Sequence, residues 1–134
     1  MQQPEAERIS VEESDDLVRV RGRTREAAIA MGFGRTDQVR VVTAVSELAR
    51  NILRYAEKGL VEISRVKEDG RIGLRVKFQD GGPGIADIKL AMEDGYTTGG
   101  GLGKGLPGAK RLVDDFEIES EIGKGTVVTI TKWV

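Results

Sequence analysis

Apolar residues recur along this chain with two different periods, and the changes of period mark its elements. Residues 8–11 alternate briefly and read as a short edge strand. Leu17, Val20, Ala27, Ala28 and Met31 then follow helical spacing, with Ser14 and Asp15 as N-cap candidates and Gly32 as a stop. A strand competes over 17–21, where the pattern also alternates and Gly22 would cost a helix interior about 1 kcal/mol. The helix is favoured. Val39, Val42, Val45, Leu48, Ala49, Ile52 and Leu53 make a broad apolar face on a second, longer helix. Thr36 or Asp37 should cap it, Tyr55 lies near its end, and Gly59 closes the segment. Thr43, Glu47, Asn51 and Arg54 form a polar stripe beside the apolar face.

Two alternating runs, 60–67 and 71–80, flank Glu68-Asp69-Gly70 and predict a hairpin. A short helix is expected over 86–92, a loop over 93–105, and a helix opening at Pro107 and ending near Asp114. Residues 116–121 and 126–133 alternate around Gly123-Lys124-Gly125, which predicts a closing hairpin. Strands and helices do not alternate regularly, so a doubly wound parallel sheet is disfavoured. The expected fold is α+β, a two-layer sandwich with a mixed, mostly antiparallel sheet and helices on one face.

At 134 residues the chain fits one globular domain, 1–134. Its 21 basic and 22 acidic residues sum to a net charge of -1, leaving no bulk positive field for nucleic acid or an anionic membrane. Cysteine and histidine are absent, which removes disulfides, thiolate or imidazole metal sites, Ser-His-Asp triads and phosphohistidine relays. Carboxylates, amides, hydroxyls, Lys and backbone remain. No signal-like N-terminus or membrane-length apolar run is visible, so a cytoplasmic location is expected. Ten of the 18 glycines fall between Gly81 and Gly108.

Four motifs stand out. Glu47-x-x-x-Asn51 puts a carboxylate and an amide one turn apart on a helix, a proton acceptor beside an oxygen donor for a hard cation. Asp80-Gly81-Gly82-Pro83-Gly84 ends a strand with an acceptor for an exocyclic amine, next to glycines that let a flat ring approach the backbone. Residues 99–105, five of seven glycine and one Lys104, run into a helix start, where backbone N–H groups and the helix dipole favour phosphate. Gly123-Lys124-Gly125-Thr126 places a hydroxyl at the start of the last strand. Singly, these also fit a solvated helix face, a surface turn, a flexible linker and a hairpin turn. The P-loop pattern fails at Lys104, a dinucleotide fingerprint lacks its preceding strand, and no H-R-D loop is possible without histidine.

Taken in order, the four motifs resemble the Bergerat ATP-binding fold of the GHKL superfamily, from about Thr36 onward. The small size, Gly32-Phe33-Gly34, 37–55, Met92-Glu93-Asp94-Gly95-Tyr96-Thr97-Thr98 and the run from Gly101 to Gly108 are similar to the switch-protein serine kinases of bacterial partner-switching pathways. The resemblance implies an ATP- and Mg²⁺-dependent serine/threonine kinase acting on STAS-domain partners of the RsbS and RsbR type. It also implies that, once released, the kinase activates a PP2C-type phosphatase. By the same resemblance Glu47 is the catalytic base and Asn51 the Mg²⁺ ligand. Asp80 and Thr126 receive the adenine, Gly82 and Gly84 shape its wall and the lid hinge, and Gly101, Gly103, Lys104, Gly105 and Leu106 cradle the phosphates. The region 93–105 is the expected lid. The alternatives are an anti-sigma factor of the same fold and a non-enzymatic, ATP-gated docking switch. Arg19, Arg21, Arg23 and Arg25 match the family less clearly and fit either a partner-docking patch or a solvated face.

Overall fold

The computed structural model of the chain describes residues 6–84 and 102–134, with the backbone alone at 102–105. The expected helix over 86–92, most of the expected lid and Gly101 lie outside the described residues. The element order is β1 (Glu7–Val11), α1 (Ser14–Ala30), α2 (Arg35–Ala56), β2 (Gly59–Glu68), β3 (Arg71–Asp80), α3 (Leu102–Leu112), β4 (Asp115–Glu121) and β5 (Gly125–Trp133).

The five strands form one sheet in the order β1-β2-β3-β5-β4. The sheet was expected to be mixed and mostly antiparallel, and every described ladder is antiparallel. β3 and β5 sit centrally, where Leu74, Val76, Phe78, Val128 and Ile130 are buried under the helices. Val41, Ala44, Val45, Leu48, Ala49 and Ile52 of α2 supply the facing layer: Val45, Leu48, Ala49 and Ile52 lie on the expected face, Val41 and Ala44 widen it, and Val39, expected there, is 60% exposed near the start of the helix. The opposite sheet face is polar: Glu62, Lys77, Thr129 and Glu117 align in one row across four strands. Arg75 there donates to Thr131 at 2.9 Å and to Glu68 at 3.0 Å. One face buried and one solvated is what the strand alternation requires.

The helix ends differ from expectation in three places. The N-cap of α1 is Glu13, one residue before Ser14, because the Asp16 carboxylate reaches back to accept from the Glu12 and Glu13 backbone N–H groups at 2.9 and 3.1 Å. The stop at Gly32 is as expected: its N–H bonds to Ile29 and that of buried Phe33 to Ala28, a Schellman end with Gly32 at φ +89°. α2 starts after Gly34, ahead of the expected cap at Thr36 or Asp37, and ends at Ala56, one residue past the expected end near Tyr55, with Glu57 at a φ of +70° turning the chain. Gly59 is instead the first residue of β2, opposite Asp80.

The third difference bears on the site. α3 begins at Leu102, so Pro107 lies inside it and Gly103, Lys104 and Gly105 belong to its first turn and not to a preceding loop. Pro107 forfeits the helical bond its N–H would make to the Gly103 carbonyl. Burial of Leu106, Pro107 and Ala109, on a helix packed against α2, outweighs that loss and the poor helix propensity of the glycines.

Candidate functional site

A pocket opens where α2, the ends of β3 and β5, and α3 meet, and it collects residues far apart in the chain. Asn51, Asp80, Gly84, Leu106 and Thr126 all line it. Its apolar wall comes from Leu48, Ile52, Tyr55, Ala56, Phe78, Pro83 and Val128. Leu48, Asn51, Ile52 and Tyr55 repeat at three- and four-residue steps, so one stripe of α2 serves both core and pocket. Sequence reasoning placed Leu48 and Ile52 in the core and Tyr55 at the helix end. Their spacing relative to Asn51 was the signal for a pocket role.

Asp80 ends β3 directly opposite Thr126 of β5. One Asp80 carboxylate oxygen, Oδ1, accepts the backbone N–H of Gly82 at 2.9 Å. A side chain at Gly82 would collide with Ala56, so glycine there keeps the chain close to α2. Gly84 and Gly125 have φ of +79° and +104°, and a Cβ on either would run into backbone, that of Glu121 and of Asp80 respectively. These close approaches hold the Asp80 turn against the β4–β5 turn, and the Gly123 N–H bonds to the Pro83 carbonyl at 2.9 Å. The expected hinge and wall glycines therefore have a packing reason.

Among the described residues, the Asn51 side-chain nitrogen is buried with no hydrogen-bond partner. A buried unpaired amide costs about 1–3 kcal/mol, and such a group facing a pocket calls for a ligand. Turning the amide by 180° presents its oxygen to the same space. Among the described residues no group of three or more acidic side chains could hold a metal alone. The Asn51 oxygen is one donor that this pocket can offer a hard cation, the rest of whose shell would come from a ligand or water.

Glu47 lies one turn before Asn51 but does not line the pocket. Its side chain is 39% exposed, and its Oε1 lies 3.0 Å from the Arg50 guanidinium. Its carboxylate is thus partly exposed to solvent, one turn along α2 from the pocket-lining Asn51. Thr126 is half-buried and its hydroxyl meets that of Ser120 on β4 at 2.8 Å. Nothing in the sequence singles out Ser120, because its partnership depends on strand register. Gly103, Lys104 and Gly105 occupy the first turn of α3, whose next residue, Leu106, reaches the pocket.

Residues 36–133 match the model of the histidine kinase-, DNA gyrase B- and HSP90-like ATPases. The chain is 50% identical over 119 residues to the serine/threonine-protein kinase RsbT of Bacillus subtilis, covering 89% of this chain and 90% of that protein. It is 34% identical over 128 residues to the anti-sigma F factor of Geobacillus stearothermophilus, covering 90% and 84%. Among solved structures, the RsbU and RsbW domains of a Mycobacterium tuberculosis protein superpose with a TM-score of 0.63 at 21% identity. That match covers 94% of this chain and 32% of the longer one, and shows a shared fold. With the pocket geometry and a family match that spans most of its length, the chain belongs to the histidine kinase-, DNA gyrase B- and HSP90-like ATPases.

Proposed function

We propose that this chain is a Mg-ATP-dependent protein serine/threonine kinase of a bacterial partner-switching pathway. We take its substrates to be STAS-domain proteins of the RsbS and RsbR type and its regulated output to be a PP2C-type phosphatase. The observation that carries the reading is the Asn51 amide nitrogen, buried and without a partner among the described residues, in a pocket that Asp80 and Thr126 also line. The 50% identity to RsbT supports a kinase over an anti-sigma factor, whose representatives stand at 34–36%. Among the described residues no helix is long and apolar enough to cross a membrane.

In this reading Asp80 receives the exocyclic amine of adenine on the carboxylate oxygen not taken by Gly82. The apolar wall from Ile52, Phe78 and Val128 covers the faces of the base. Asn51 would hold Mg²⁺, which would supply charge neutralisation along the phosphates. We assign Gly101, Gly103, Lys104, Gly105 and Leu106 to the phosphate cradle, at the N-terminal end of α3, where the unpaired N–H groups of the first turn, the positive end of the helix dipole and the Lys104 ammonium favour phosphate. Glu47, oriented by Arg50, accepts the proton of the substrate hydroxyl while that oxygen bonds to the γ-phosphorus and the bond to the ADP oxygen breaks. Its place outside the pocket suits a base that must meet a hydroxyl carried by another protein.

The test is incubation with γ-labelled ATP, magnesium and a STAS-domain protein encoded nearby. Label should appear on one Ser or Thr of that protein. Bound or hydrolysed ATP with no label on any STAS protein would overturn the kinase assignment.

A further inference from the structure

We infer that Ser120 is a positioning residue: it fixes the Thr126 hydroxyl as a hydrogen-bond acceptor at the base end of the pocket, and so sharpens the preference for a purine bearing an amine. This rests on reading that end as the base subsite. The assignment follows from counting hydroxyl protons. Ser120 and Thr126 face each other across β4 and β5, with their oxygens 2.8 Å apart. Ser120 Oγ also lies 3.0 Å from the Gly125 carbonyl oxygen, which can only accept. Serine has one hydroxyl proton, and the Gly125 carbonyl takes it. The 2.8 Å contact then needs the proton of Thr126, donated to Ser120 Oγ. Ser120 Oγ can accept further bonds without changing this count.

Thr126 is left with lone pairs only. Across the ladder, Asp80 is an acceptor as well. The two facing polar side chains of this end therefore accept, and neither donates. An amine supplies N–H groups to such a wall, directly or through a water, whereas a carbonyl at the same ring position meets only lone pairs. Freed of Ser120, the Thr126 hydroxyl can rotate and donate to that carbonyl, so discrimination falls even though Ser120 never touches the base.

The experiment compares binding of ATP and of inosine triphosphate, which carries a carbonyl in place of the amine, by titration calorimetry on the full chain. Ser120→Ala should narrow the ATP preference by about three- to tenfold, the size of one hydrogen bond. Ser120→Thr, which keeps the hydroxyl, should restore the wild-type ratio. In a Thr126→Val background Ser120→Ala should change the ratio by less than about twofold, because the hydroxyl it acts through is gone. Should the alanine variant not fold, Ser120→Val, which matches the size of the threonine variant without a hydroxyl, serves in its place with the same expected narrowing. An unchanged ratio in the folded Ser120 variant, or equal narrowing in the Thr126→Val background, overturns the inference and leaves the proposed function standing. A wild-type chain that binds neither nucleotide overturns both.

Discussion

Asn51 and Glu47 are one helical turn apart and occupy different surroundings. The amide is buried at the pocket, while the carboxylate is at its edge, paired with Arg50. Binding and proton transfer should therefore separate on mutation. Glu47→Gln, which keeps shape and removes the proton acceptor, is expected to bind ATP within about twofold of wild type and to lose about 100-fold or more in phosphoryl transfer. Single-turnover labelling together with nucleotide titration checks this, and undiminished transfer would remove Glu47 from the role of base. The Glu-x-x-x-Asn spacing and the acidic strand end were legible in the sequence because helix and strand periods fix where such residues point. The opposition of Asp80 and Thr126 and the Ser120 contact were not, since both depend on pairing register between strands distant in the chain.

At the scale of elements, α1 carries one avoidable cost. Gly22 sits mid-helix with nothing within 4 Å of the position a Cβ would occupy, so neither packing nor backbone conformation requires glycine. Gly22→Ala should stabilise the chain by about 0.5–1 kcal/mol in urea denaturation, with ATP affinity unchanged. At the start of the same helix, the N–H groups of Glu12 and Glu13 hold the Asp16 carboxyl below its ordinary value. The nearby Arg19 adds a smaller push in the same direction. A lowered folded value means that the contribution is complete above the ordinary carboxylate range and is lost as pH falls through the folded value. Asp16→Asn should accordingly lower the melting temperature at neutral pH and converge with wild type in strong acid, as thermal melts across pH will show. Element ends were legible where glycine marks them, as at Gly32. They were misread at the start of α2, which begins after Gly34 and not at a Thr36 or Asp37 cap, and where burial carries a helix through glycines and a proline, in α3.

At the scale of the molecule, one sheet face and three helices among the described residues enclose one core, and the pocket sits at the edge of that core. Leu48, Ile52, Phe78 and Val128 belong to both. Nucleotide binding should therefore raise the stability of the entire domain by mass action, about 2.7 kcal/mol at a hundredfold excess over Kd. Charge balance, element order and the family resemblance made this architecture legible; the shared wall between core and pocket emerged only once α2 was laid across the sheet. The central claim is that Asn51 and Asp80 serve one ATP site, and calorimetric titration with ATP, with and without magnesium, tests it most directly. Wild type should bind ATP more tightly with magnesium, Asn51→Ala should lose that magnesium dependence, and Asp80→Asn should lose about tenfold or more in affinity. Both variants binding Mg-ATP as wild type does would contradict the account.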